Sequence, residues 1–417
     1  PVSNIHRFSI AELQPHYSLL HQVKFGELPS LPANTPRRAG PPPPSLATGA
    51  AEEAGVGGFT LRLEGVPPPE GAALAAAPMA LSASTEAAIQ RVAAHIKSST
   101  CKSVCLLTGA GMSVAAGIPD FRSPGGMYET LKPDLITATA AERELMRLDP
   151  TYVVERGMFL ANQFPYLEVR RPFILGTAEK QWKATLSHHF ARLLHERTGK
   201  LTRLYTQNID GLDFQLGLPA DMVVCVHGTI GKVSCEACGA ASDHEEFCQR
   251  VRTNIKDIYG LDSSAPATSS HVLCAECHGA TLKPTTVLFG AQLPTEFFER
   301  KKEDLPGTDL VIVAGTSLVV SPANKVAQDA SGMRFVVNRE PVGRELGIVY
   351  EEEGPAAATS RDIFAAGECD AVFLRLAEVL GWRSDLEALA EEQGRLPDAS
   401  RALILGGGSV DGRLGAL

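Results

Sequence analysis

The sequence predicts an α/β fold, a doubly wound parallel sheet with a small inserted module, and three observations carry that prediction. Short apolar runs of strand length recur along the chain, and each delivers glycine or polar residues at its carboxyl end. Amphipathic segments with helical spacing lie among them. Between residues 227 and 283 the composition changes, and two Cys-x-x-Cys pairs dominate.

With 417 residues the chain has length for two to three domains. Its 44% hydrophobic and 21% charged residues are ordinary for a globular protein. A net charge of -9 gives no global attraction to DNA, RNA or an anionic membrane, so no sequence-specific nucleic-acid partner is expected. No apolar run reaches the roughly 18 residues of a membrane span, and none is expected. A charged segment followed by an apolar leader is absent from the first residues, so secretion is not expected. Nine cysteines, four of them in the two pairs, read as metal ligands in a reducing compartment rather than as a disulfide framework.

Residues 1–84 are rich in Pro, Ala and Gly and predict a disordered extension. Ser82 or Ser84 then caps a helix carrying Ile89, Val92, Ala93 and Ile96 on one face. The run Val104-Cys105-Leu106-Leu107 is the first strand, and it feeds the glycines at 109 and 111. Glycines there let backbone N–H groups approach a phosphate. Residues 124–176 predict a helical insertion over the site. A helix with Phe190, Leu193 and Leu194 ends at Gly199, and the adjacent His188 and His189 point to different faces, which favours packing or solvent over metal binding. Strands at 201–206, 222–226, 309–314 and 334–337 then deliver Gln207-Asn208-Ile209-Asp210, His227-Gly228-Thr229, Gly315-Thr316-Ser317 and Asn338-Arg339-Glu340. Five strands therefore put polar groups along one sheet edge, where open α/β sheets bind ligands. A final helix covers 371–380, Glu351-Glu352-Glu353 is a solvated loop, and the chain frays from about residue 399.

Cys235, Cys238, Cys274 and Cys277 have the spacing of a closed, structural Cys₄ zinc site. The 35 residues between the pairs exceed the commonest spacing, and the Ser/Ala/Pro-rich stretch 263–270 reads as a surface loop that absorbs the excess. Cys248 lacks a partner two residues away, while Cys101, Cys105, Cys225 and Cys369 read as core or surface residues.

The stretch Gly109-Ala110-Gly111-Met112-Ser113, continuing to Gly117-Ile118-Pro119-Asp120-Phe121-Arg122, resembles the sirtuin signature Gly-Ala-Gly-x-Ser-x-x-x-Gly-Ile-Pro-Asp-Phe-Arg. The 206–212, 227–229, Lys283-Pro284, Phe289-Gly290, 315–318 and 367–370 segments follow in sirtuin order, so the resemblance covers about residues 86–385 and is closest to the eukaryotic class I branch. It implies a Rossmann-like sheet and a catalytic domain over 85–385, followed by a tail over 386–417. The large NAD-binding lobe would comprise 85–123, 177–228 and 283–385. The small lobe would comprise the helical insertion 124–176 and the zinc module 229–282. It also implies an NAD-dependent protein-lysine deacetylase with one structural zinc ion. Acetyl-lysine, NAD and water would give lysine, nicotinamide and O-acetyl-ADP-ribose, and the partners would be acetylated proteins, histones or others.

By the same resemblance His227 is the general base on a ribose hydroxyl, Asn208 orients that ribose or its water, and Gln207 holds ribose hydroxyls. Ile118 and Asp120 would hold the carboxamide, Phe121 shield the reacting carbon, Arg122 support the pocket and Asp210 line it. Gly109, Ala110, Gly315, Thr316, Ser317, Asn338 and Cys369 match contacts to phosphate, adenine and ribose, and Val287, Phe289 and Gly290 match the rim that clamps the substrate peptide. Ala291 stands where the family pattern has Glu, which predicts an altered peptide preference. No arginine accompanies Tyr128, which favours acetyl or longer apolar acyl groups over succinyl. Rival readings are a mono-ADP-ribosyltransferase, a long-chain deacylase and a non-catalytic NAD-sensing scaffold. Val114 in place of a third glycine argues against a dehydrogenase. Cytoplasm with nuclear access is the expected compartment, with mitochondria as the alternative, and the sequence carries no signal for an oligomeric state.

Overall fold

The computed structural model describes residues 81–118, 128–350, 359–392 and 394–406. Of the extension read over 1–84, residues 1–80 lie outside the described residues, as do the segment 119–127 with Asp120, Phe121 and Arg122, the acidic loop at 351–353 and the final residues from 407, while 81–84 lead into a helix that begins at Ala83.

The described strands are β1 (Val104–Thr108), β2 (Leu201–Thr206), β3 (Val223–Cys225), β4 (Val233–Cys235), β5 (Ala241–Ser242), β6 (Leu282–Pro284), β7 (Leu310–Ala314), β8 (Met333–Asn338) and β9 (Asp362–Ala366). The helices are α1 (Ala83–Lys97), α2 (Ala140–Leu148), α3 (Arg156–Ala161), α4 (Phe164–Ala178), α5 (Leu186–Thr198), α6 (His244–Asn254), α7 (Thr295–Asp304), α8 (Lys325–Asp329), α9 (Cys369–Leu380), α10 (Arg383–Glu391) and α11 (Asp398–Leu405). Six strands make one parallel sheet in the order β3-β2-β1-β7-β8-β9. Every residue of β1 and β7 is buried, as a strand covered by helices on both faces must be. Val104, Leu106, Leu310 and Ile312 face a core shared with α1, α5 and α9, while Cys105, Leu107, Val311 and Val313 face one shared with α7 and α8.

Local signals set the helix ends. The Ser82 hydroxyl accepts the Thr85 N–H at 3.1 Å at the start of α1, and Gly199, at φ +63, closes α5. The sheet has six strands where the sequence predicts five. The sixth, β9, opens on a carboxylate and ends in alanines, so its composition hides it. Asp362 is nonetheless buried, because Arg334 on the neighbouring strand donates to both of its oxygens at 2.5 and 2.6 Å.

The expected C-terminal tail from 386, frayed from 399, is instead the helix pair α10 and α11. Leu386, Ala390 and Ile404 are fully buried in the core that holds α1, α5 and α9. The Ser400 hydroxyl donates to Asp370 at 2.5 Å and accepts the Leu186 N–H at 3.2 Å. Gly394 and Pro397 break the apolar period between these helices, which is why the pattern reads as irregular.

The second sheet, antiparallel in the order β5-β4-β6, belongs to the cysteine-rich segment. Phe159, Tyr166 and Ile174 of the helical insertion share one core with Val233, Phe247, Val251 and Leu282 of that segment. The two insertions, far apart in sequence, build one body.

Candidate functional site

Strands β1, β2 and β3 step outward in one direction and β7, β8 and β9 in the other, so the order reverses between β1 and β7. A crevice opens beyond the carboxyl ends of strands at such a point. Two glycine loops leave the strands there in backbone contact. The Gly109 N–H donates to the Ala314 carbonyl at 3.0 Å and the Gly111 N–H to the Gly315 carbonyl at 2.9 Å. A Cβ on Gly111 would stand 2.5 Å from the Gly315 Cα, so no side chain fits.

A continuous row of amides and hydroxyls follows the edge. The Asn338 side-chain amide donates to the Thr316 carbonyl at 3.0 Å, and the Thr316 hydroxyl accepts from the Gln207 amide at 2.9 Å. Asn208 Nδ2 donates to the Gly109 carbonyl at 3.0 Å and to the Ser113 hydroxyl at 3.1 Å. Ser113 in turn donates to the buried Asp210 carboxylate at 2.7 Å, whose other oxygen takes the Leu212 N–H at 3.0 Å. His227 Nδ1 lies 2.9 Å from the Gln207 carbonyl, and because a carbonyl only accepts, Nδ1 carries the proton and the basic lone pair sits on Nε2. Amide, hydroxyl and imidazole groups at a strand-end switch point, with the carboxylate of Asp210 buried and already bonded to Ser113 and Leu212, suit ribose hydroxyls and phosphates, so the residues fit NAD.

Two cysteines near this edge are held as thiols. Burial, reinforced by Asp370 and Glu368, pushes the Cys369 thiol up to about 12, and burial pushes Cys225 to about 12. Burial also raises the Asp213 carboxyl behind the row, with His188 opposing that rise.

The rim begins where Gly228, at φ +72, turns the chain against Thr285. The Val287 N–H donates to the His227 carbonyl at 2.8 Å. Phe289 is held from the other side, its N–H on the Val154 carbonyl and its carbonyl on the Arg156 N–H, both at 2.9 Å. The residue stays 41% exposed, so it is available to a ligand.

The four pair cysteines place their sulfurs within 4.8 Å of one another. Cys235 and Cys277 are 3.6 Å apart, Cys238 and Cys274 3.8 Å. Tetrahedral zinc with Zn–S near 2.3 Å needs S···S edges of about 3.8 Å, so the donor set fits a closed zinc site. Among the described residues no other His, Cys, Asp and Glu grouping of this kind occurs. Cys248 lies outside it, 3.7 Å from His244 Nε2. His188 and His189 are buried in α5, and His188 Nδ1 sits 2.8 Å from the Thr185 hydroxyl as a helix cap.

Residues 109–322 match the family model described as the Sir2 family. The NAD-dependent protein deacetylase sirtuin-2 of Danio rerio is 31% identical over 328 residues, 76% of this chain and 78% of that protein. This chain belongs to the Sir2 family. Two further Sir2 relatives match similarly. The NAD-dependent protein deacetylase sirtuin-3 of Mus musculus is 31% identical over 75% of this chain and 82% of its own length, and hst2 of Schizosaccharomyces pombe is 31% identical over 73% and 79%. A chain solved in work on the mechanism and regulation of Sir2 enzymes covers 71% of this one and 98% of itself, with a TM-score of 0.52 at 24% identity, which supports the fold.

Within this Sir2 fold Gly109, Ala110, Gln207, Asn208, Asp210, His227, Gly315, Thr316 and Asn338 meet at one sheet edge. Ile118 is buried, Ser317 is exposed, and Cys369 opens α9 after β9. Two residues without a sequence-assigned role complete the Sir2 row: Ser113, which joins Asn208 to Asp210, and Thr206, whose hydroxyl takes the Asn208 N–H at 3.2 Å. Ser113 lies within the glycine-rich signature, which was the available signal.

Proposed function

We propose that this chain is an NAD-dependent protein-lysine deacetylase that converts acetyl-lysine, NAD and water into lysine, nicotinamide and O-acetyl-ADP-ribose. The observation that carries this reading is the hydrogen-bonded row from Asn338 through Thr316, Gln207 and His227, with Asn208, Ser113 and Asp210 beside it at the switch point. Family membership and relatives named as deacetylases support it over transferase and scaffold readings.

In this reading Gly109, Ala110, Gly315, Thr316, Ser317, Asn338 and Cys369 hold the nucleotide, and Ile118, Asp120, Phe121, Arg122 and Asp210 line its nicotinamide end. Bound NAD supplies the ribose carbon that takes the acetyl oxygen as nicotinamide leaves. His227 Nε2 accepts a hydroxyl proton, and the Gln207 carbonyl on Nδ1–H stabilises the resulting imidazolium. Asn208, anchored on Gly109 and Ser113, orients the ribose or its water. Val287, Phe289 and Gly290 receive the acyl-lysine peptide, and Ala291 shifts which peptides bind best. Cys235, Cys238, Cys274 and Cys277 hold one zinc ion remote from the chemistry. The sheet and its helices form the NAD-binding lobe, which α10 and α11 extend past 385, and the two insertions form the small lobe. The substrates are acetylated proteins of the cytoplasm and nucleus.

Mass spectrometry of an acetyl-lysine peptide incubated with and without NAD tests the reading. Free lysine and O-acetyl-ADP-ribose should form only with NAD, and His227→Ala should lower the rate by about 10²-fold or more. Binding of NAD without either product would overturn it.

A further inference from the structure

Lys283 is buried and charged, and nothing so far gives it work. An ammonium has three donors, and each finds an acceptor: the Pro284 carbonyl at 3.0 Å, the Thr286 carbonyl at 2.7 Å and Glu236 Oε2 at 3.2 Å. Burial pulls its pKa below the usual lysine value while Glu236 opposes that pull.

Glu236 lies inside the first Cys-x-x-Cys turn, where its backbone N–H is fixed on the Thr281 carbonyl at 2.8 Å. Its second oxygen takes Arg156 Nε at 2.6 Å, and the Arg156 backbone N–H holds the Phe289 carbonyl. One carboxylate on the cysteine knuckle therefore grips two cations that hold opposite ends of residues 284–289. Arg156 is 42% exposed and Lys283 only 3%, so the Lys283 arm carries more of the effect.

We infer that Glu236 is a positioning residue for the acyl-lysine substrate, passing the geometry of the Cys₄ knuckle through Lys283 and Arg156 to the peptide rim at 287–290. Without the carboxylate, the buried ammonium loses its counter-charge and its hold on the two carbonyls slackens. Val287, one residue on, then loosens from His227. The hydrogen bonds and ion pairs of this hub, on Glu236, Lys283 and Arg156, run to Thr281, Pro284, Thr286, Phe289 and one another rather than to the glycine loops at 109–111 and 315, so nucleotide binding is spared. The inference takes its substrate from the deacetylase reading.

The test uses the full chain, a fluorescein-labelled acetyl-lysine peptide for anisotropy, nicotinamide release for kinetics and a colorimetric zinc assay. Glu236→Gln should weaken peptide binding and raise peptide KM about tenfold, with kcat, NAD KM and one zinc per chain kept within twofold. Glu236→Asp should recover part of the loss. Peptide affinity within twofold of wild type overturns the inference. Should Glu236→Gln lose zinc, Lys283→Met decides: a peptide-selective loss supports the hub, and equal loss of NAD and peptide affinity overturns it. A wild type that binds peptide without releasing nicotinamide overturns the deacetylase reading alone, and the anisotropy comparison still decides the hub. A wild type that binds no peptide overturns both.

Discussion

Gly228 has both a left-handed backbone and no space beside it. A Cβ there would stand 1.9 Å from the Thr285 carbonyl oxygen, and that atom belongs to backbone that cannot rotate away. Gly228→Ala should cost about 3 kcal/mol or more, read as a lower urea midpoint, and should also separate the rim from His227. An unchanged midpoint would show that the loop yields freely. His227, Gln207, Asn208 and Asp210 could be picked from the sequence because each follows a short apolar strand, which fixes where the side chain is delivered. Thr206 could not, and the signature that contains Ser113 gives no sign of its partner. A hydroxyl in or beside a turn usually bonds its own neighbours, whereas Ser113 bonds Asp210 across 97 residues of chain.

Strands β1 and β7 announced themselves because burial on both faces makes them apolar throughout. Strand β9 did not, since its leading Asp362 is made tolerable chiefly by Arg334 on another strand, with the Val349 N–H beside it, and no local window contains that pairing. Helices α10 and α11 were hidden for the same reason, as a short apolar period says little until its covering partner is known. Their burial makes a direct prediction. Leu386→Ala should destabilise the protein by about 2–5 kcal/mol, whereas Leu405→Ala, on a 41% exposed side chain, should stay within about 0.5 kcal/mol. Thermal melts of the two variants measure the contrast, and equal shifts would mean α10 does not stay docked.

Two bodies with separate cores make stability uneven across the chain. The cysteine pairs could be recognised from spacing, but the shared core of the helical insertion and the zinc segment could not, because an apolar face carries no label for its partner. Chelating zinc should therefore speed amide exchange in α6 and β4 and also in α4, which packs on them, while β1 and β7 keep their protection. Exchange that rises equally in all of these would refute the division. The register that sets Val104 beside Leu310 has a different consequence, in time rather than in energy. About two hundred residues must leave the ribosome after β1 before its second neighbour exists, which at roughly 5–20 residues per second is a wait of about 10–40 s. Throughout that interval an apolar strand shows an open edge to every other nascent chain. Yield in a cell is then governed by how well that edge is shielded during translation, and a synonymous change that slows the ribosome between β1 and β7 should lower soluble protein without altering a single contact.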